Sequence, residues 1–266
     1  MRRCVIALAL ALTATLVRGD DWTPPENPDP TAILREAEAD TRAKRYDRAL
    51  AKHVWYHDHA LEFDQGQTGV RLSFALSSWL TLAEQYPPAL VTLRQARDAA
   101  GQRAVAGGER LGAFAAFQEF AALNDKLDER AETRKLFETL DQLAPEQAAA
   151  VFGIARRSLI DAKAHALLAK YVSPKSDVAQ MKQMLALNQK MAKENNQFGP
   201  ELVRFARQTF ISDAATLVAI LAVNGRKAEA EEVAESVRGS LDDRAFHGAL
   251  DKALEGTFPP EFPARS

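Results

Sequence analysis

Three of the chain's five histidines fall within seven residues, in the run His53-Val54-Trp55-Tyr56-His57-Asp58-His59. Imidazole binds metals and exchanges protons near neutral pH, so this cluster is where chemistry would first be sought. His53 and His57 are spaced i, i+4, which on a helix places both rings on one face, as in helical zinc sites. At roughly 100° per residue His59 points away from His57 and cannot join them. Asp64 would return to the shared face, but it lies where the helix should end. Ala49, Leu50, Ala60 and Leu61 flank the two rings, which makes the shared face the one to be buried. The residues favour core-edge histidines hydrogen-bonded to a neighbouring helix, with no metal site and no cofactor. A metal-dependent hydrolase using the His53/His57 face is the enzyme alternative.

The same geometry puts Trp55 near the centre of the helix's polar face, beside Arg48, Lys52, Asp58 and Glu62. An indole stranded there needs cover. Either the Trp22-Thr23-Pro24-Pro25 segment or the next helix pair lies over it, or Trp55 contacts another protein. It is the one candidate partner-binding residue. Phe114, Phe117 and Phe120 recur every three residues and are expected in the core. Met181, Met184 and Met191 are expected as adaptable packing, and Arg156-Arg157 as a solvated pair at a helix junction. No serine sits in a G-x-S-x-G elbow. Gly107-Gly108 lacks the lysine and the strand of a phosphate-binding loop. No catalytic residue is assigned.

The elements that must position these side chains are helices throughout. Alternating β-branched runs and hairpin dipeptides are essentially absent, so the fold class is all-α. Residues 20–30 hold four prolines and no periodicity, which predicts an extended lead-in. Residues 256–266, with Gly256, Pro259, Pro260 and Pro263, predict a non-helical tail. Between them, over 31–255, apolar periodicity and breakers predict helices at 31–43, 46–63, 70–85, 88–104, 109–124, 128–143, 145–157, 158–172, 174–195 and 200–223. Two shorter helices end near Gly239 and Leu254. The helices come in antiparallel pairs that recur roughly every 35–45 residues, the cadence of a helical-repeat protein.

Tyr46-Asp47-Arg48-Ala49-Leu50 and Tyr86-Pro87-Pro88-Ala89-Leu90 share a pattern, an aromatic three residues before a small Ala at the opening of a second helix. In the second unit Leu76, Ser77 and Leu80 occupy first-helix core positions, and Leu93 and Ala96 those of the second helix. Leu217, Leu221, Gly225, Ala230 and Ala234 fit the same scheme, with Gly225 at the turn. Over about half its length the chain resembles the tetratricopeptide repeat, in which that Ala lets two helices approach closely. Glu36 and Asp40 stand where the family prefers apolar residues, Tyr56 replaces a small one, and the closing proline is missing. The stretch 109–195 fits helix pairs but not the signature. The resemblance implies a right-handed superhelix with a concave binding surface, and it carries over no catalytic residues. The rival architecture is a globular bundle whose last helices return to the first.

Arg2 and Arg3 precede an uncharged apolar run from Cys4 to Val17, followed by Arg18, Gly19 and two acids. This is the pattern of a secretory signal peptide at 1–19, cut after Gly19; a signal anchor is the alternative. The run falls short of the ~20 apolar residues a spanning helix needs, and no other stretch is long and apolar enough to span a bilayer. The single cysteine, Cys4, would leave with the signal, so the mature chain has no thiol for a disulfide or a cysteine-ligated metal. Cleavage removes three Arg and no acid, taking the net charge from −2 to −5. A well-mixed, slightly acidic surface excludes the basic stripe of a nucleic-acid binder. The expectation is an exported protein, periplasmic or secreted, that acts without catalysis as an interaction or scaffold module for a protein partner. Small-molecule or peptide binding in the superhelical groove is a further alternative.

Overall fold

The computed structural model describes residues 22–107, 110–194 and 199–262. The expected signal peptide, Gly108 and residues 263–266 lie outside them. The described residues are all-α, with neighbouring helices packed in pairs and no strand among them. In chain order the helices are α1 (Pro30–Arg42), α2 (Tyr46–Phe63), α3 (Thr68–Arg71), α4 (Phe74–Ala83), α5 (Pro87–Ala106), α6 (Arg110–Lys126) and α7 (Arg130–Leu143). There follow α8 (Pro145–Asp161), α9 (His165–Tyr171), α10 (Pro174–Glu194), α11 (Gly199–Val223), α12 (Lys227–Arg238) and α13 (Arg244–Leu254).

Local chemistry explains many of the boundaries. Asp29 caps α1 by accepting from the amides of Thr31 and Ala32, with Pro30 in the first turn, where its missing N–H costs nothing. Asp243 caps α13 in the same way. Three helix pairs are joined by one turn type. Lys44, Lys163 and Gly225 each have positive φ (59°, 54° and 76°). The residue after each donates its N–H five residues back, Arg45 to Asp40, Ala164 to Leu159 and Arg226 to Leu221. This is the Schellman closure, and the next helix begins within two residues.

Two expected helices differ. The stretch 70–85 is broken at Leu72 and Ser73, because Ser73 leaves helical geometry (φ −130°, ψ −87°). The expected junction at 157/158 does not exist. Helix α8 continues to Asp161 and turns at Lys163, so Arg156-Arg157 lies inside a helix and is half-buried.

The chain forms two compact units, one of residues 22–100 and 122–128, the other of 101–121 and 129–262. In the first, Ala49, Leu76, Leu82, Ala89 and Leu93 pack around Trp79, and Leu34, Tyr56, Ala60 and Ala75 form an adjoining cluster. Ala49 and Ala89 have no exposed surface, so the aligned alanines sit at tight crossings. Tyr46 and Tyr86 stack on each other at 5.7 Å, and the Tyr46 hydroxyl donates to Gln85 Oε1. In the second unit, Phe117, Phe137, Val151, Leu159 and Leu168 form one cluster, and Leu217, Leu221, Ala230, Phe246 and Leu250 form the other. Phe114, expected in the core with Phe117 and Phe120, is 36% exposed. A spacing of three drifts about 60° per step round the helix, so three such residues cannot all face one core.

Helix α11 is apolar and long enough to cross a membrane by length and composition (mean hydropathy 1.3), which corrects the expectation that no stretch outside the first 19 residues is. Its residues from Ala214 to Leu221 are all buried, most of them in the cluster shared with α12 and α13. That is the setting of a core helix.

Candidate functional site

The three clustered histidines occupy three different environments. His53 is 1% exposed and lies parallel to the Trp79 indole from α4, at 6.1 Å. Burial holds its pKa down at about 4, so the ring is neutral near pH 7. Neither His53 Nε2 nor Trp79 Nε1 has a hydrogen-bond partner among the described residues. His57 meets the same indole edge-on at 5.7 Å. Arg71 of α3 donates to the His57 carbonyl at 2.5 Å and stands 3.2 Å from His57 Nε2. His59 points away and pairs with Glu62 at 3.0 Å. Asp64 ends α2 and accepts from the Gly66 amide. Among the described residues no group of three or more His, Cys, Asp or Glu stands close enough to hold a metal ion.

Trp55 is half-buried, with Trp22 edge-on at 6.4 Å, Phe63 at 5.7 Å and His59 at 5.8 Å. The lead-in segment therefore supplies part of its cover. Lys52, which helical geometry assigned to the exposed face beside Trp55, is buried. Its ammonium donates to Glu36 Oε2 at 2.7 Å and Asp40 Oδ2 at 2.9 Å, and lies 5.7 Å from the Trp22 ring centre. Burial pushes the Asp40 carboxyl up, but bonds and charges from Lys52 and Arg45 outweigh it and hold it below its usual range. The two acids that depart from the repeat pattern in α1 are the partners of this buried lysine.

A cleft of about 620 Å³ opens in the second unit among α8, α10 and α11. One helix face of α10 supplies Asp177, Met181, Met184 and Asn188. Helix α11 supplies Phe205, Thr209 and Asp213, and α8 supplies Phe152 and Arg156. Arg156 donates to Asp213 Oδ1. Asp177 accepts from the Ser173 amide at 2.8 Å. Burial raises the Asp177 carboxyl, an effect that the Ser173 bond and the Arg156 charge only partly offset. Thr209 Oγ1 is buried and has no hydrogen-bond partner among the described residues. The lining is apolar and open at Met184 and Phe205, each close to half exposed, and Leu187 and Met191, further along α10, are as open.

In the sequence the methionines read as packing, and no single stretch shows the cleft. Two signs of it were present. Asp213 is the one charged residue between Gln208 and Asn224, in a helix whose other positions there are mostly apolar, and such a charge needs a partner. Met184 and Met191 lie on the stripe that continues Asp177 and Met181 along α10, and only Met181 packs into the core. Arg226 and Glu229, at the start of α12, form a two-bond ion pair at 2.7 Å.

No family model, curated protein or solved structure matches the chain. What its fold defines is a class, all-α proteins of packed adjacent helix pairs, an arrangement compatible with a helical repeat.

Proposed function

We propose that this chain is an exported, non-catalytic binding protein of the cell envelope, of tetratricopeptide-like superhelical type, whose interaction site is the cleft among α8, α10 and α11. One observation carries the reading. Met184 and Phe205 are large apolar side chains that line a cleft of about 620 Å³ yet stay close to half exposed, and Leu187 and Met191, equally open, continue the apolar row along α10. Apolar clefts of roughly 300–1,000 Å³ with a few placed polar groups are the usual form of a ligand site, and exposed apolar patches mark interaction surfaces. The repeated Schellman turn and the Tyr46–Tyr86 stack support the repeat reading. Trp55 belongs to this proposal as a second partner contact, reached when Trp22 leaves it.

Photo-crosslinking in the native host tests the site. A benzoylphenylalanine at position 184 or 205 should capture a partner that the same group at position 232, on α12, does not. Equal capture from all three positions removes the cleft as the site. Export is tested by N-terminal sequencing, with Asp20 as the expected first residue; an intact Met1 chain in the membrane fraction would mean an anchor instead.

A further inference from the structure

The charged side chains that line the cleft are two carboxylates, Asp177 and Asp213, and one guanidinium, Arg156. The balance is therefore one negative charge inside an apolar enclosure. Each carboxylate spends one oxygen within the protein, Asp177 Oδ2 on the Ser173 amide and Asp213 Oδ1 on Arg156. Asp177 Oδ1 and Asp213 Oδ2 make no hydrogen bond among the described residues. Two carboxylate oxygens in a partly desolvated setting are suited to a cation that brings its own N–H donors. The apolar wall does not stop at the cleft. Met184, Leu187 and Met191 succeed one another at helical spacing along α10 and stay open, so apolar contact extends past the volume a small cation would fill. Thr209 Oγ1 adds a buried hydroxyl in the lining whose hydrogen-bonding capacity is unused among the described residues.

We infer that the cleft receives a peptide segment bearing a Lys or Arg side chain flanked by large apolar residues, the cation set between Asp177 and Asp213 and the flanking side chains laid along Met184, Leu187 and Phe205. This rests on the cleft being the interaction site. Arg156 fixes Asp213 and keeps the enclosure from holding two cations. An acidic or phosphorylated segment would meet two carboxylates and is rejected by the same charges.

The methionines make the test direct, because Met181, Met184 and Met191 all lie on α10 and the remaining one, Met1, is in the expected signal. The mature full chain labelled with methyl-13C methionine should show three signals, assigned by single Met→Leu variants. It is titrated with the blocked peptide Leu-Phe-Lys-Leu-Phe, with its norleucine and Glu versions, and with spermidine. The Lys peptide is expected to shift Met181 and Met184 to saturation. Norleucine should weaken binding about tenfold, the loss of one charge-assisted contact. Asp213→Asn or Asp177→Asn, each checked by thermal melting, should abolish the preference for Lys over norleucine. Norleucine or Glu peptides that bind as well as the Lys peptide overturn the inference, and so does spermidine matching it. Methyl signals that no probe moves overturn it as well. In every case crosslinking at 184 and 205 decides separately whether the cleft is the interaction site.

Discussion

At His53 a titratable ring is sealed against an indole, and its proton affinity becomes a stability term. The unfolded chain takes up this proton as pH falls through about 6.5, whereas the folded chain resists until about 4. The stability contributed by the neutral ring is complete above the upper value and is lost as pH falls through that window, on the order of 3 kcal/mol in all. Urea midpoints at pH 7 and pH 4.5 should fall further for the wild type than for His53→Phe, which keeps a ring against Trp79. Asp40 acts in a lower window. Its carboxyl is held below the ordinary 3.8, so its stabilisation is present above that value and is lost only as pH drops further. The ion pair it shares with Lys52 is buried on both sides, and removing one member strands the other. Lys52→Met should cost about 2–3 kcal/mol, somewhat under the usual range for a broken buried pair because Arg45 still holds Asp40. Adding Asp40→Leu should recover part of that loss in the same denaturation experiment. From the sequence Lys52 could be placed only by its position on its own helix, and that position pointed outward. Its burial depends on two acids on a different helix.

Helix bounds were legible where the residues themselves enforce them. Tyr46–Phe63 is as the apolar periodicity and the end placed at Asp64 required. The bounds failed where the enforcing conformation carries no mark in residue type. Lys163 adopts the left-handed turn that glycine adopts at Gly225, and a lysine does not announce it, so the sequence ends the helix at 157, four residues before Asp161. A left-handed non-glycine residue costs roughly 1–2 kcal/mol, part of which a glycine returns to the unfolded chain as entropy. Lys163→Gly should therefore stabilise the protein by about 0.5–1 kcal/mol, read as a rise in the urea midpoint. Gly225→Lys should do the reverse. The cleft was less legible than the helices. It is assembled from α8, α10 and α11, and no single stretch among them holds its two carboxylates. Asp177 and Asp213 meet Arg156 only after three separate helices have packed.

On the scale of the molecule, residues 257–262 carry no helix and are a structural part of the second unit. Phe258 packs against both of that unit's clusters, Arg130 donates twice to Glu261, and Phe262 lies 5.6 Å from Phe205. Ending the chain at Gly256 removes the partly buried Phe258 contact and uncovers one side of Phe205. The expected loss is about 1–3 kcal/mol, under the roughly 3–5 of a fully buried ring because Phe258 is only partly buried, followed by circular dichroism at 222 nm as a lowered melting temperature. A truncated chain that melts like the wild type would make the tail a passenger. The helical class could be read from composition and punctuation. The division into two units could not, because α5 and α6 each contribute residues to both and no linker marks a boundary.

The methionine row on α10 has one more consequence, which concerns oxidants. With Cys4 in the expected signal, the thioethers of Met181, Met184 and Met191 are the soft sulfur atoms left to a mature chain, and Met184 and Met191 are nearly half exposed. Peroxide reaching them converts an apolar, pliant side chain into a polar sulfoxide. The wall of the cleft at Met184, and the row beyond it at Met191, would then turn hydrophilic where apolar contact is proposed. Mass spectrometry of peroxide-treated protein should find oxygen on Met184 and Met191 before Met181, which packs into the core. A sulfoxide reductase acting on those two residues would restore the cleft, so its occupancy would follow the redox state of the compartment without any cysteine taking part.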